Sequence, residues 1–523
     1  MRNDVATIHN PVLPGFHPDP SILRVGDDYY LATSTFEWYP GVRLHHSKDL
    51  AHWRPVGGAL TGQLDMTGNP DSGGVWAPGL SWADGTFYLV YTDVKAYAGG
   101  FWDTPNHVVT ATSIDGPWSD PAPLHARGFD PSLFHDDDGR SWLLSNRTDW
   151  RPGRPWAGGI IIQEYDRAAR RLVGEPIDLY AGTAAGMTEG PHLYRRDGWY
   201  YLITAEGGTE WFHQVTVARS RDLLGPYVTD PGTPLLTSAH RPDLTLQKAG
   251  HGSLVETPAG EWFLAHLTGR PLSPRGRCIL GRETAIQRVT WTGDGWPRID
   301  GGVPHEVVDG PDLPAHPWPG EPETDDFATT SLGPHWSTLR RPATADWLTA
   351  GGGSLRVRGG RSPGAQSGES LVARRIQHTG VTFEATVAFA PSTYQQMAGI
   401  TAYYNSRNWY LLRIGWDEEH GPAVDVLSCE RGRLGVHGPA VPVDGVARLR
   451  LELDGGVLRA SYGDVEWGPF DASILSDEHA REDDAGVPRV WGFTGAFFGL
   501  WAQDHTGGGL TATFTAATCK PHP

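Results

Sequence analysis

Cysteine is scarce in this chain of 523 residues, which has only Cys278, Cys429 and Cys519. The three are far apart, odd in number and without metal-ligand spacing, so neither a disulfide framework nor a cysteine metal site is expected. Reduced thiols are typical of the cytoplasm, and the N-terminal MRNDVATIHNPVLPG lacks the apolar core of a secretory signal. The sequence therefore predicts a cytoplasmic protein.

Long apolar runs and positive charge are also lacking. No uninterrupted apolar stretch reaches the roughly 18 residues that a membrane-spanning helix needs. The chain has 43 Lys and Arg against 61 Asp and Glu, a formal net charge of −18, which repels nucleic acids and acidic membranes. We predict neither of these partners, and neutral or cationic ligands remain open.

Glycine, proline and tryptophan are abundant, at 67, 42 and 22 residues, which favours many short strands joined by tight turns. Five segments repeat one pattern, a turn followed by aromatic residues and a leucine: GDDYYLAT (26–33), DGTFYLVY (84–91), DGRSWLLS (138–145), DGWYYLIT (197–204) and AGEWFLAH (259–266). Their leucines are spaced by 58, 54, 59 and 62 residues. Five sheet-forming units at this period predict a five-bladed β-propeller, and a long β-sandwich with coincidental turns is the alternative.

The repeat aligns distant residues. Counting back 12 or 13 positions from each leucine reaches one residue per repeat: Asp19, Trp76, Asp130, Glu189 and His251. The segments GFHPDPSI (15–22) and GFDPSLF (128–134) therefore occupy the same place in two repeats. Because equivalent positions on the innermost strands crowd around the axis of a propeller, we expect these five side chains to meet at one mouth of the channel.

The composition changes after Val307. Residues 310–326, GPDLPAHPWPGEPETDD, are proline-rich and acidic, as in a semi-rigid linker. Alternating runs such as GVTFEATVAFA (380–390) follow, and they indicate antiparallel strands with one buried face. The prediction is a propeller over 1–309, a linker over 310–326 and a β-sandwich over 327–523.

Converging carboxylates are costly to bury, so three at one point need a chemical reason. A pair of acids that flank a glycosidic bond supplies one, with the first protonating the leaving oxygen and the second activating water or attacking the sugar. Taken singly, Asp19 and Asp130 fit structural turn residues, and Trp76 fits either core packing or stacking on a sugar. For His251 three roles stay open: a core histidine, a sugar contact, or a ligand of an axial cation or water.

Several segments resemble glycoside hydrolase family 43, in particular its two-domain β-xylosidases. They are NPVLPGFHPDPSI, STFEWYPGVRLHHSKDLAHW, GGVWAPGLSW, GFDPSLFHDDDG, TEGPHLY, TAEGGT, HLTGRP and LGRETAIQ, in the family's order. The resemblance runs from about Asn10 to the C-terminus. It implies an all-β chain, a five-bladed propeller followed by a lectin-like (concanavalin A-like) sandwich that completes the active-site pocket.

The resemblance also implies roles for single residues. Asp19 matches the general base, Glu189 the general acid, and Asp130 the aspartate that orients the acid and modulates its pKa. Residues that match the substrate pocket are Arg282, Trp76, Phe36, His251 and Thr209, with Phe497 of GAFFGLW (495–501) as the expected aromatic from the sandwich. Gly190 departs from the family, in which we expect alanine after the acid.

The function that this implies is an exo-acting, inverting hydrolase that releases xylose from the non-reducing end of short β-1,4-xylo-oligosaccharides. The alternatives are α-L-arabinofuranosidase activity, alone or alongside, and a non-catalytic carbohydrate-binding protein. No cofactor is expected to be required and no metal ligand is assigned, although the sequence leaves open a calcium ion near His251. Similar enzymes are homo-oligomers, so a dimer or tetramer is expected.

Overall fold

The computed structural model of the protein describes residues 5–485 and 487–522, and strands dominate it, as predicted. Short helical turns occur at Asp300–Gly302, Pro363–Ala365, Ala472–Leu475 and Asp477–Ala480. Within these described residues, no helix has both the length and the apolar character to cross a membrane.

The N-terminal part consists of five antiparallel sheets of four or five strands, the blades of the predicted propeller. Blade I contains Ser21–Val25, Asp28–Thr33, Gly41–Ser47 and Arg54–Leu60. Blade II contains Gly74–Val75, Gly79–Ala83, Thr86–Val94, Asn106–Ala111 and Ala122–Pro123. Blade III contains Ser132–His135, Ser141–Thr148, Ala157–Asp166 and Arg171–Tyr180. Blade IV contains Glu189–Arg196, Trp199–Glu206, Gln214–Ser220, Val228–Thr229 and Leu236–Thr237, and blade V contains Gln247–Glu256, Trp262–Gly269, Glu283–Trp291 and Pro297–Arg298.

In every blade the repeated leucine is buried and lies in the strand that pairs with the innermost strand. In each blade it pairs with an aliphatic residue of the innermost strand, in the pairs Ile22–Leu31, Leu80–Leu89, Leu133–Leu143, Leu193–Leu202 and Leu254–Leu264. Innermost strands of neighbouring blades contact one another around the ring, including blade V against blade I. This common register brings residues at or near the starts of the innermost strands to the same end of the axis.

The two ends of the propeller sequence are joined beside blade V. Strand Val5–His9 pairs antiparallel with Val307–Pro314. The side-chain amide of Asn10 donates to the Ile286 carbonyl at 2.8 Å and accepts from the Ile286 amide at 2.8 Å. The first residues of the segment predicted as a linker, up to Pro314, therefore belong to a strand.

The C-terminal part contains two sheets of eight strands each. One contains Thr324–Asp325, Leu348–Gly351, Ser354–Arg358, Thr511–Pro521, Gly380–Ala388, Val446–Asp454, Val457–Tyr462 and Val465–Asp471. The other contains Arg433–Pro442, Gly421–Glu430, Asn408–Asp417, Gln396–Asn405, Phe497–Asp504, Leu371–Arg375, Trp336–Leu339 and Trp38–Tyr39. A small hairpin joins Glu482–Asp484 to Val487–Val490.

One strand of the second sheet comes from the propeller. Trp38–Tyr39, which lies between the second and third strands of blade I, pairs with Trp336–Leu339 of the sandwich. The Trp38 ring is fully buried and stacks on Phe497 with ring centroids 4.0 Å apart. Backbone pairing and aromatic packing therefore fix the sandwich to blade I.

We expect Trp38→Ala to destabilise the protein by about 3–5 kcal/mol, the usual cost of truncating a large buried aromatic residue. The loss removes the stacking partner of Phe497 at the joint between the domains. The measurement is the midpoint of urea unfolding followed by tryptophan fluorescence. Trp82→Ala is the matched control because the Trp82 side chain is 42% exposed, and equal midpoints for the two variants would contradict the prediction.

Candidate active site

The five residues aligned by the repeat line a single pocket. Asp19, Trp76, Asp130, Glu189 and His251 surround a cavity of ≈ 620 Å³, a volume that includes its open mouth. Three other residues expected in the pocket also line it, namely Phe36, Thr209 and Arg282. The geometric expectation drawn from the repeat is therefore met.

The backbone at this end of the axis is strained in the same way in several blades. Asp19, Asp130 and His251 have φ angles of 55°, 54° and 48°, in the left-handed region that residues other than glycine rarely adopt. The two Asp-Pro-Ser segments thus share a conformation as well as a position. Such strain is typical of functional sites, where the surrounding fold compensates for its cost.

Asp19 is a buried carboxylate with charged and polar partners. Its Oδ2 accepts a hydrogen bond from the Ser34 hydroxyl at 2.6 Å, and its Oδ1 pairs with an Arg282 Nη1 at 3.1 Å. The His251 Nδ1 lies 3.8 Å from the same Oδ1. Both carboxylate oxygen atoms of Asp19 therefore have a partner, one a guanidinium and the other a hydroxyl.

Arg282 connects this carboxylate to the second domain. Its Nη1 also donates to the Thr209 hydroxyl at 3.0 Å, and its Nε and Nη2 donate to the Phe493 carbonyl at 3.2 and 2.8 Å. The guanidinium also lies over the Phe493 ring, 5.0 Å from the centroid. The sandwich thereby helps to orient the cation that binds Asp19.

Asp130 and Glu189 form the acidic side of the pocket. Asp130 Oδ2 accepts from the backbone N–H of Gly190 at 3.1 Å, which ties it to the residue after Glu189. Burial, followed by the Asp19 charge, raises the pKa of Glu189 to about 8. Burial, followed by the charges of Glu189 and Asp19, raises the pKa of Asp130 well above its ordinary value. Asp130 and Glu189 are thus biased towards the neutral form, while Asp19 is paired with the Arg282 guanidinium.

A second glutamate, Glu206, stabilises the start of the strand that begins at Glu189 through hydrogen bonds. The buried Glu206 of the TAEGGT segment accepts hydrogen bonds from Thr188 at 3.1 Å and Thr216 at 3.1 Å. It also accepts from the backbone N–H of Thr183 at 2.9 Å. Because Thr188 directly precedes Glu189, this network limits movement of the acid.

Gly190 fits closely beneath His251. Its φ is +56°, and a Cβ added there would lie 3.0 Å from two atoms of the His251 ring. The alanine that we expected from the family at this position would therefore require the imidazole to shift. The glycine allows the ring to sit directly against the backbone after Glu189.

Aromatic side chains from both domains form the walls. The propeller supplies Phe36, Trp76, Trp102, Phe129 and Trp156, and the sandwich supplies Trp491 and Phe493. The Trp491 and Phe493 rings stack on each other with centroids 4.8 Å apart. Aromatic faces suit the apolar faces of sugar rings, while the polar cluster suits their hydroxyl groups.

The prediction for Phe497 needs a correction. Phe497 is fully buried between Trp38 and Phe16, with ring centroids 4.0 and 5.8 Å away, and does not line the pocket. Phe498, the neighbouring candidate, packs on Phe383 inside the sandwich. Every residue of the strand Phe497–Asp504 is buried, so both of its faces are covered, and the loop just before it reaches the pocket instead.

Sequence reasoning missed several lining residues, among them Trp102, Trp156, Met187, Trp491 and Phe493. They lie in connections between strands, where the repeat imposes no register. Ser34, the hydrogen-bond partner of Asp19, lies just after the repeat segment of blade I. The distance of Ser34 from the recurring turn of the repeat could have indicated this residue. The tryptophans in the loops had no such signal in the sequence.

The donors around His251 fit a calcium ion poorly. Calcium takes six to eight oxygen ligands, whereas burial and the neighbouring His251 lower the pKa of His192 and His213, which places imidazoles near this ring. Asp19, whose Oδ1 lies 3.8 Å from the His251 Nδ1, is already bound by Arg282 and Ser34. In the described ranges, no group of three or more His, Cys, Asp or Glu side chains is arranged to hold a metal.

Ser72 of the propeller holds the loop of the sandwich that reaches the pocket. Its hydroxyl donates to the Trp491 carbonyl at 2.7 Å and accepts from the Phe493 amide at 3.2 Å. Its own carbonyl accepts from the Trp76 indole at 2.8 Å. One residue therefore positions aromatic walls from both domains.

The family comparisons divide the chain as the structure does. Residues 8–297 match "Glycosyl hydrolases family 43" and residues 324–520 match "Beta xylosidase C-terminal Concanavalin A-like domain". The chain is 43% identical to a beta-xylosidase of Bacillus subtilis (strain 168), over 97% of this chain and 98% of that protein. It is 45% identical to xylosidase/arabinosidase 43B of Humicola insolens, over 99% and 98%.

A solved structure gives the same result. The crystal structure of xylan beta-1,4-xylosidase from Bacillus halodurans C-125 superposes with a TM-score of 0.93 at 49% sequence identity. The match covers 98% of this chain and 100% of that one. Fold, domain order and chain length therefore agree with this group of proteins along the whole sequence.

We expect Ser72→Ala to release the loop around Trp491 and Phe493, because both hydrogen bonds to the hydroxyl are lost. Amide hydrogen exchange of a peptide spanning residues 491–494 should accelerate roughly two- to tenfold, which corresponds to about one lost hydrogen bond. Ser113→Ala, at an exposed position far from this loop in sequence, is the control. Unchanged exchange in Ser72→Ala would show that the loop is held by other contacts.

Proposed function

Since the chain belongs to the glycosyl hydrolases of family 43, we propose that it releases xylose from the non-reducing end of short β-1,4-xylo-oligosaccharides with inversion of configuration. The observation that carries the proposal is the charge arrangement in the pocket. A carboxylate paired with an arginine, Asp19, faces the same cavity as a carboxyl whose pKa is raised to about 8, Glu189. This is the division of roles that acid–base glycoside hydrolysis requires.

The proposed mechanism uses three carboxyl groups. Glu189, protonated at neutral pH, donates its proton to the glycosidic oxygen as the bond to the anomeric carbon breaks. Asp19, bound by Arg282 and Ser34, accepts a proton from the water that attacks the opposite face of the sugar. Asp130 accepts a hydrogen bond from the Gly190 amide and thereby orients the backbone next to the acid.

Inversion requires space for a water molecule between base and sugar. We expect the carboxyl groups of Asp19 and Glu189 to be roughly 6.5–9.5 Å apart in the complex, as in other inverting enzymes. The remaining lining residues then bind substrate, with Arg282 and His251 near the hydroxyl groups and Trp76, Phe36, Thr209 and Phe493 around the ring. A pocket walled by both domains suits the end of a chain better than its interior.

The second candidate function is α-L-arabinofuranosidase activity, alone or alongside. The relative from Humicola insolens, named a xylosidase/arabinosidase, favours it, and the two sugars present similar ring hydroxyls. Steady-state rates on matched nitrophenyl xyloside and arabinofuranoside substrates distinguish the two. A kcat/KM on the arabinofuranoside equal to or higher than that on the xyloside would make α-L-arabinofuranosidase activity the first candidate function.

Cofactor, assembly and location are part of the proposal. We propose that no metal is required, because the polar groups of the pocket already have the catalytic and binding roles described above, and a calcium ion near His251 is the open alternative.

The chain is proposed to form a homo-oligomer, a dimer or tetramer, which light scattering would test. The three cysteines are free and buried, which supports the proposed cytoplasmic location, and fractionation of the source cells would test it.

We predict that Asp19→Gly and Glu189→Ala each lower kcat on xylobiose at least about a hundredfold, the usual effect of losing general acid–base catalysis. Glu189→Ala should lose less on a nitrophenyl xyloside, because nitrophenolate needs little protonation to leave. Release of xylose measured by chromatography tests both variants. If Glu189→Ala cleaves xylobiose as fast as the unmodified enzyme, Glu189 is not the acid.

The raised pKa of Glu189 predicts the alkaline limb of the pH profile. The acid acts in its protonated form, so kcat/KM on xylobiose should be retained below about pH 8 and fall as pH rises through that value. Stopped assays between pH 6 and pH 10, at roughly constant ionic strength, measure it. The limb should disappear from the residual activity of Glu189→Gln, and an unchanged limb in that variant would assign it to another group.

A further inference from the structure

A second group of charged residues lies at the joint between the domains and has no part in the proposed reaction. It consists of Arg43, His17 and His45 from the propeller and Arg374 and Arg375 from the sandwich, hereafter the cation cluster. Each of these side chains belongs to a residue that is at most 7% exposed. His17 lies within the GFHPDPSI segment, two positions before Asp19, where the catalytic roles left it unexplained.

Like charges are held close together in this cluster. Ser337 Oγ accepts from Arg43 at 2.8 Å and from Arg375 at 3.3 Å, so the two guanidinium groups share one hydroxyl. The His17 and His45 rings pack edge to face with centroids 4.8 Å apart. Burial, followed by the charge of Arg43, lowers the pKa of Arg375 well below its ordinary value, which reflects the positive potential.

The cluster has too few acceptors for its donors. Among the described residues, three guanidinium nitrogen atoms of the cluster are buried donors without a hydrogen-bond partner: Arg43 Nε, Arg374 Nε and Arg375 Nη2. His17 Nδ1 and His45 Nδ1 are also buried without a partner, and each donates or accepts according to the tautomer of its ring. Unpaired buried donors are costly, and unpaired buried charges more so. The number of such atoms at one place indicates a missing acceptor.

Carboxylates compensate the charge only in part. In the described ranges, the one ion pair made by the three arginines joins Arg374 to Glu321, at 3.5 Å. Glu321 is exposed and belongs to the proline-rich segment that connects the domains. Arg43 and Arg375 therefore have neutral partners, the Phe16, Pro334 and Trp336 carbonyls and the Ser337 hydroxyl.

A cavity gives access to the cluster. His17, His45, Arg374 and Arg375 line a space of ≈ 1100 Å³, including its open mouth, between the propeller, the sandwich and the segment around Trp318. Glu321 and Glu323 are its acidic lining residues. The space is large enough for a small oxyanion and is separate from the catalytic pocket, with which it shares no lining residue.

We propose that this cavity is a binding site for a small inorganic oxyanion of the phosphate or sulfate type, held by Arg375 with Arg374 and the two histidines. Such an anion supplies several acceptor atoms at once and neutralises guanidinium groups, which prefer planar pairs of oxygen atoms. Since the ligands come from both domains, the bound anion stabilises their joint. The proposal is independent of the proposed catalytic function.

The test is isothermal titration calorimetry of the full-length protein with inorganic phosphate, and in a second series with sulfate, in chloride buffer at constant ionic strength. We expect saturable binding of about one anion per chain. Phosphate should also raise the thermal unfolding midpoint, logarithmically with its concentration above the Kd from calorimetry, because a ligand of the folded state stabilises it by mass action. A midpoint that rises only in proportion to salt concentration, with no saturable heat of binding, reflects exclusion of the salt from the protein surface and overturns the proposal.

Two variants assign the binding to the cluster. Arg375→Met keeps much of the side-chain volume and should abolish phosphate binding. Glu321→Gln removes an exposed competing carboxylate and should tighten binding at least about threefold, because a nearby negative charge no longer repels the anion. Glu175→Gln, at an exposed position of blade III, is the matched control and should bind as the unmodified protein does.

The same variants also give the results that would contradict the anion site. Equal phosphate affinity in Arg375→Met and the unmodified protein contradicts the site. If Arg375→Met does not fold, Glu321→Gln decides, and an affinity equal to that of Glu175→Gln overturns the proposal. Binding of phosphate but not sulfate would keep the site and narrow its ligand to an anion that can also donate a hydrogen bond.

Discussion

The ion pair between Arg282 and Asp19 is the interaction on which the pocket depends. Three carboxyl groups are costly to charge together in one buried place, and a guanidinium pairs with one of them. Arg282 lies 3.1 Å from Asp19, while burial, followed by the charge of Asp19, raises the pKa of Glu189 to about 8. The proposed base and the proposed acid therefore differ in their surroundings, although both face one cavity.

The same guanidinium explains why the enzyme has two domains. Two of its nitrogen atoms donate to the Phe493 carbonyl, and the Phe493 amide is bound by Ser72 of the propeller. The sandwich loop is thus held at both its amide and its carbonyl by the propeller, and in return it orients the arginine. The sandwich is therefore part of the electrostatic arrangement as well as a wall of the pocket.

The sequence predicted the propeller and the convergence of its axial residues because the repeat records both a strand pattern and a register. The distance from the leucine, 12 residues for Asp19 and 13 for Asp130, places both aspartates two residues before the innermost strand of their blade. The prediction that Phe497 lines the pocket was wrong because this residue lies outside any repeat. The aromatic run GAFFGLW (495–501) suits a buried strand as well as a pocket wall. Which loop reaches the pocket depends on tertiary packing that no local pattern contains.

The joint between the domains and the pocket share one short segment of blade I. Trp38–Tyr39 enters the sandwich sheet directly after Phe36 and Glu37, so a pocket residue and the joint are parts of one short segment. Glu37 in turn accepts from the Ser72 amide at 3.1 Å, and burial raises the pKa of Glu37 to about 8. Any movement of the sandwich relative to blade I would therefore displace Phe36, Ser72 and the loop that orients Arg282 together. A rigid joint therefore keeps Arg282 in place between Asp19 and the sandwich loop.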